Sequence, residues 1–297
     1  MRALLAIFAV FAAFAQTPAP TPLVYLGKPL QVDATCTDDD MQMFGLACTT
    51  EEPCPVYLEL SSLDTGANRI LIAGNFHTET ATLSTILLAS EDGGITWIEA
   101  HPRIKGANLD HTQFIDLQTG WISGQVIAAL PRDPFFLLSI DGGKSWRQRM
   151  VFGESGPGSI DQFSFDSPTA GSVVVDRAAG AEGGRYAYLE TQTGGDSWSI
   201  RSVTREKTTL KNRPPINPAW RLQAHAASKS YRLERKEASG KWTPISSFLV
   251  HAGQCKPKET ELKEPTSEPT APATDAVEVF QVGTPKNAKK ATPKKKP

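Results

Sequence analysis

Four cysteines are the residues in this chain whose type and spacing most plainly allow chemistry. Cys36, Cys48, Cys54 and Cys255 are an even number, and they permit three disulfide connectivities. Three fall early in the chain and one late. This favours a local Cys36–Cys48 loop and a Cys54–Cys255 staple across the intervening sequence. In the chain-entropy model, closing so long a loop contributes about 4–5 kcal/mol. A zinc site is the rival reading, but no C-x2-C pair and no nearby histidine accompany the thiols. Asp33 with Asp38-Asp39-Asp40 lacks calcium-loop spacing and reads as a solvated acidic loop. His77, His101, His111, His225 and His251 stand at no metal-ligand interval. In Gly153-Glu154-Ser155-Gly156-Pro157, a proline stands where a nucleophile elbow needs its second glycine, so Ser155 reads as a loop residue. The glycine-rich stretch 180–184 has no Lys-Ser/Thr behind it and reads as a hairpin loop. Tyr186, Tyr188 and Glu190 lie close together, yet alternate residues of a strand share a face whatever their role. These spacings call for no cofactor, no metal and no catalytic set.

Two further acids, Asp92 and Asp141, have a different meaning because each sits in a repeated octapeptide. Ser90-Glu91-Asp92-Gly93-Gly94-Ile95-Thr96-Trp97 returns as Ser139-Ile140-Asp141-Gly142-Gly143-Lys144-Ser145-Trp146. It returns again, eroded, as Thr191-Gln192-Thr193-Gly194-Gly195-Asp196-Ser197-Trp198. A fainter fourth copy runs from Glu237 to Trp242. A recurrence near every fifty residues means stacked, similar units. Asp92 and Asp141 can accept from backbone N–H groups two residues on, which closes a turn. The paired glycines supply positive φ. Ser90, Ser139 and Thr191 open the units; Thr96, Ser145 and Ser197 offer hydroxyls to the turn. Gly94, Gly143 and Gly195 are its tight positions, and Trp97, Trp146 and Trp198 provide bulk to pack between units.

Around these turns the chain reads as short β segments. Residues 56–60, 69–73 and 85–89 precede the first octapeptide; 113–116, 121–123 and 135–139 the second; 162–165, 171–175 and 186–190 the third. A weaker fourth set is 221–224 and 231–235. Three strands before each turn and one after it make a four-stranded unit, so the expected fold class is all-β, a small propeller.

The octapeptides resemble the Asp-box (BNR) repeat, found in sialidases, sortilin-type receptor ectodomains and photosystem II assembly factors, all built as β-propellers. Phe114-Ile115-Asp116 with Gly120-Trp121-Ile122-Ser123-Gly124 is most similar to the assembly-factor branch. The resemblance covers residues 56–250; propellers of this type commonly use six or more blades, whereas the units counted in this chain make about four, or five, four-stranded blades. The segment 23–32 could add an outer strand to the last blade or belong to a degenerate fifth unit. The resemblance carries fold and not reaction. The resemblance to sialidases would imply an arginine in a Phe/Tyr-Arg-Ile-Pro motif ahead of the first Asp-box, whereas the nearest echo, His101-Pro102-Arg103-Ile104-Lys105, follows it and has Lys105 in place of the proline. Arg69, Arg132 and Arg221 remain as scattered arginines. The expected function is a non-catalytic protein- or peptide-binding assembly or scaffolding factor; the alternative is a divergent glycan-binding or glycan-cleaving propeller.

The ends frame this domain. Residues 1–15 read as a secretory signal, with Arg2, an apolar run too short to span a bilayer, and Ala13-Phe14-Ala15. Together with the disulfides this predicts export to a periplasmic or extracellular space, with no transmembrane segment in the mature chain. A cysteine-containing segment at 16–55 precedes the propeller at 56–255. Residues 256–297 are rich in Pro, Glu and Lys and read as a disordered tail. Within it, residues 277–282 could add to an edge as a strand. The lysines Lys286, Lys289, Lys290, Lys294, Lys295 and Lys296 are a candidate contact for an anionic surface. With 31 basic and 32 acidic residues, net charge −1, nothing in the whole-chain charge points to specific nucleic-acid binding.

Overall fold

The computed structural model describes residues 21–66, 68–210 and 217–258. The signal-like start, the Lys-rich end and the segment 277–282 lie outside the described residues. The elements run β1 (Leu23–Val24), α1 (Asp38–Phe44), β2 (Cys54–Gly66), β3 (Arg69–His77), β4 (Thr82–Ser90), β5 (Thr96–Glu99), β6 (Ala107–Phe114), β7 (Gly120–Ile127), β8 (Pro131–Ser139), β9 (Arg147–Met150), β10 (Ser159–Phe165), β11 (Gly171–Asp176), β12 (Tyr186–Thr191), β13 (Ser199–Thr204), β14 (Trp220–His225), β15 (Ser230–Lys236), β16 (Trp242–Leu249) and β17 (His251–Cys255). The fold is an all-β propeller. Blade 1 is β2-β3-β4-β5, blade 2 is β6 to β9, blade 3 is β10 to β13 and blade 4 is β14 to β16, each a meander in hydrogen-bonded order. Among the described residues no helix is long and apolar enough to cross a membrane.

Burial explains which residues take which place. The second strand of blade 1, β3, is enclosed on both faces, and Ile70, Leu71, Ile72 and Ala73 form the continuous apolar run such a strand requires. The fourth strands of blades 2 and 3 are short, exposed and carry Arg147, Arg149 and Arg201, which discourages pairing with another chain. Blades 1 and 4 are covered differently. Leu23 and Val24 pair with Trp97 and Thr96 of β5, and Leu30 forms a parallel bridge to Phe248 of β16. The segment from Leu23 to Ala34 therefore stitches the last blade to the first. β17 completes the seam by pairing with the start of β2.

Three expectations are corrected. The disulfides are Cys36–Cys255 and Cys48–Cys54, with Cα atoms 4.9 and 5.3 Å apart. Cys54 and Cys255 are register partners on adjacent strands, so the expected staple couples neighbours that each bond elsewhere. The long-range closure is supplied from Cys36 instead. Asp33, Asp38 and Asp39 are solvated as expected, but Asp38-Asp39-Asp40 is helical and not a loop: Thr37 and Asp40 cap each other's backbone N–H in a capping box at the start of α1. Asp40 is buried and binds Lys105. In the fourth unit, the turn before Trp242 joins the second and third strands rather than the third and fourth. Among the described residues two strands, β14 and β15, precede it, matching the two segments at 221–224 and 231–235, and blade 4 is three-stranded.

Candidate functional site

The first strands of the four blades, β2, β6, β10 and β14, line an open cavity of about 990 Å³. Its position depends on the turns that hold the blades together. At the first turn, the Ser90 hydroxyl donates to Asp92 Oδ1 (2.8 Å) and accepts from the Gly94 N–H (2.8 Å). The Asp92 carboxylate also accepts from the backbone of Ile95 and Thr96 and from the Thr96 hydroxyl (2.6 Å). Trp97 then donates its indole N–H to Gly94 O (3.0 Å). The second turn repeats the set with Ser139, Asp141, Gly143, Ser145 and Trp146. Gly94 and Gly143 have φ of +100° and +86°, where a side chain would be strained. In the third turn the Thr193 hydroxyl takes over part of the carboxylate's role, accepting from the Ser197 N–H (2.9 Å). Thr191 accepts from the Gly195 N–H (3.1 Å). The third turn's carbonyl, Gly194 O, accepts from Trp121 of blade 2 (2.9 Å), and the buried Trp198 indole N–H has no partner.

These hydrogen bonds set the carboxylates' acidity. Burial opposes ionisation of Asp92, but the Thr96 and Ser90 donors outweigh it and bring its pKa to about 2. Asp141 is likewise held at about 2, first by the Ser145 hydroxyl. A carboxylate so stabilised is a turn lock and a poor proton donor.

Two turn tryptophans pack on the preceding blade: Trp97 meets Phe248 of blade 4 edge-on at 5.1 Å, and Trp198 stacks near Phe136 of blade 2 at 5.5 Å, whereas Trp146 meets Phe114 of its own blade at 5.9 Å. Arg69 reinforces the contact at Phe114: it is buried, lies over the Phe114 ring at 4.0 Å and donates to Leu117 O and Gly142 O. Side-chain amides bracket the first strands as well. Asn75 binds the Leu109 backbone across blades 1 and 2, and Gln113 binds both backbone groups of Phe165 across blades 2 and 3. Gln162 makes the same kind of bracket to Thr208 and Leu210, the connection beyond blade 3. Sequence spacing gave no hint of Arg69 or of these amides; a lone arginine opening an apolar strand was the only available signal.

The cavity wall combines Ser61, Ser62, Asp64 and Thr65 of β2 with His111 to Phe114 of β6, Asp161 to Phe163 of β10, and Trp220 to Leu222 of β14. Its carboxylates already have partners. Asp161 pairs with Lys207 (2.7 Å), and Asp116 accepts from the Gln118 and Thr119 N–H groups. Asp64 faces Arg69 at 3.8 Å, while burial raises its pKa against that attraction. Arg221 binds Glu234 and covers Trp242 at 4.2 Å. The Thr112 hydroxyl is buried and has no hydrogen-bond partner among the described residues. The wall thus offers aromatic and aliphatic surface with small hydroxyls, His111 and Asn217.

The other candidates are dispersed. Ser155 accepts from Arg132 on a loop, and Arg103 is held by Glu99 over the Phe76 ring. Glycines 180, 183 and 184 lie in the β11–β12 connection. Tyr188 donates to Glu190 (2.8 Å), which also binds Arg201, on a face of blade 3 away from the cavity wall. Burial first, then the bond to Glu190, raises the Tyr188 pKa.

No protein-family model matches this chain, and no curated protein matches its sequence. Among solved structures, it is similar to YCF48 bound to a D1 peptide, at 15% identity and a TM-score of 0.32 over 66% of this chain and 53% of that one. It is similar to a polysaccharide lyase described as an ulvan lyase, at 8% identity and 0.36, over 67% and 52%. A third is an alpha-L-arabinofuranosidase from Fusarium graminearum in complex with an iminosugar inhibitor, at 12% and 0.33, over 80% and 71%. The chain spans about half the length of the first two. The strand order within this chain, rather than those likenesses, defines its fold.

Proposed function

We propose that this chain is an exported, non-catalytic Asp-box propeller that holds an extended peptide segment of a partner protein at its open cavity, as an assembly or scaffolding factor would. The observation that carries this reading is the cavity wall. It pairs aromatic and aliphatic surface with hydroxyl and amide groups, while its carboxylates are tied to Arg69, Lys207 or backbone N–H groups. Such a wall suits a backbone with alternating side chains better than proton transfer, which needs a group poised near the working pH. Two disulfides fit an oxidising compartment.

The test is to pan a displayed peptide library on the full chain and measure binding of selected peptides by fluorescence. Selected peptides should lose at least tenfold in affinity for His111→Trp, a change at an exposed cavity-lining position. Equal binding to both proteins would refute a cavity site. The Tyr188–Glu190 pair favours glycan cleavage as a second reading, since a tyrosine–glutamate couple can act as a nucleophile. A raised tyrosine pKa works against it. Turnover of fluorogenic glycosides abolished by Glu190→Gln would establish that reading in place of the first.

A further inference from the structure

We propose that the four cysteines form a site of thiol–disulfide exchange with a dithiol reductant, whose product is a Cys54–Cys255 bridge and an N-terminal strap without its covalent tie. The inference is independent of what the cavity binds.

Cys255 and Cys54 are directly opposite in the antiparallel pairing of β17 with β2. Residues so placed stand about 4.5–5.5 Å apart at Cα, within the about 4.4–6.8 Å that a disulfide spans. Cys255 is bonded to Cys36, and Cys54 to Cys48. The four sulfurs are therefore two bridges joined at their middle by a pair of register neighbours. Cys36 and Cys54 are half-buried, Cys48 is nearly enclosed and Cys255 is fully enclosed, so each bridge presents one reachable residue.

Reduction of either bridge leads to the same product. When the dithiol opens Cys48–Cys54, the Cys54 thiolate attacks Cys255 Sγ. A Cys54–Cys255 bond forms, the Cys36–Cys255 bond breaks, and Cys36 leaves as thiolate. When the dithiol opens Cys36–Cys255, the Cys255 thiolate attacks Cys54 Sγ and Cys48 leaves. In both cases the dithiol becomes a disulfide, and its two protons end on Cys36 and Cys48. The protein passes from two bridges to one. Exchange of this kind requires a thiolate with access to a neighbouring disulfide sulfur, and the strand register supplies that access.

The exchange acts on the ring seam. Cys36 ends the strap that pairs with β5, bridges to β16 through Leu30, and binds β17 through Ala34 N–H to Ala252 O (2.9 Å) and Gln31 to His251 O (3.0 Å). Once Cys36 is free, the strap keeps its backbone hydrogen bonds and the burial of Leu30, Val32 and Ala34 but loses its only covalent tie to β17, while Cys54–Cys255 keeps β2 and β17 joined.

Cys48→Ser and Cys36→Ser each leave one thiol beside the other bridge. After oxidative folding, acid quench, alkylation and peptide mapping, a Cys54–Cys255 peptide should appear in both variants, with Cys36 alkylated in the first and Cys48 in the second. Retention of Cys36–Cys255 alone in the first, or of Cys48–Cys54 alone in the second, would overturn the proposal. Wild-type protein partially reduced with dithiothreitol gives an independent reading if a variant does not fold. Its single-bridge species should be mainly Cys54–Cys255, with faster hydrogen exchange at Tyr25, Leu30 and Ala34. Single-bridge species that hold only native pairs would overturn the idea equally.

Discussion

The junction between blades 2 and 3 and the junction between blades 3 and 4 are built by opposite means. Between blades 2 and 3, Trp121 stacks on Phe165 at 3.7 Å, donates to the turn of the next blade, and joins Phe136, Phe163 and Val173 in one buried cluster. The Gln113 amide satisfies both backbone groups of Phe165. Between blades 3 and 4, no buried apolar cluster among the described residues crosses over. The three clusters join blade 4 to blade 1, blade 2 to blade 3, and blade 1 to blade 2. Here Gln162 brackets only a connecting segment, and both sides of the junction line the cavity. Apolar burial and amide brackets hold the sealed junctions, so cohesion there leaves little surface to offer. The junction of blades 3 and 4 lacks that apolar seal and contributes Phe163, Trp220 and Leu222 to the cavity wall, its polar groups Asp161, Gln162 and Arg221 being paired with Lys207, Thr208 and Glu234.

The sharpest way to break this contrast is to remove one tryptophan from each region. Trp121→Ala empties a fully enclosed site and should cost about 3–5 kcal/mol in urea unfolding. Trp242→Ala, at a half-exposed ring under Arg221, should cost about 1 kcal/mol or less. Similar losses would contradict the contrast between a ring enclosed at a blade junction and a ring covered within blade 4. The amides give the next comparison. Gln113→Leu strands a buried N–H and carbonyl and should cost about 2–3 kcal/mol. Gln162→Leu, less enclosed, should cost below about 1 kcal/mol because water can replace the lost partner.

The turns allow a smaller comparison. Asp141→Ala should cost about 1 kcal/mol, a capping-type loss reduced by solvent screening. Asp92 and Asp141 have folded pKa values near 2, below the ordinary 3.8. Their contribution is fully present above pH 3.8 and is lost as the pH falls towards 2. The third turn, with Thr193 in place of the acid, has no such loss. Acid titration followed by hydrogen exchange should therefore loosen the turns of blades 1 and 2 before that of blade 3. Thr193→Asp should bring acid sensitivity to the third.

The sequence made the blades legible because the turn chemistry recurs with its tryptophan, and strand order follows from a meander. The fourth blade was harder. Its Glu237–Trp242 segment imitates a turn by composition alone, and only strand pairing shows that it follows the second strand. The disulfide pairing was not legible either, since Cys54 and Cys255 are neighbours in space while α1 carries the chain from Cys36 to Cys48. That helix had a signal in Thr37 and Asp40, hidden by the acidity of the run. The cavity wall gathers ordinary polar, aromatic and aliphatic residues from four distant strands. No local pattern could have gathered them.

The most direct test of the division between cohesion and recognition is a paired measurement on one peptide selected against the full chain. Affinity and urea midpoint are determined for wild type, His111→Trp and Asp141→Ala. The account predicts that His111→Trp loses affinity with its midpoint unchanged, and that Asp141→Ala lowers the midpoint with affinity unchanged. Loss of affinity in Asp141→Ala with full binding by His111→Trp would contradict it.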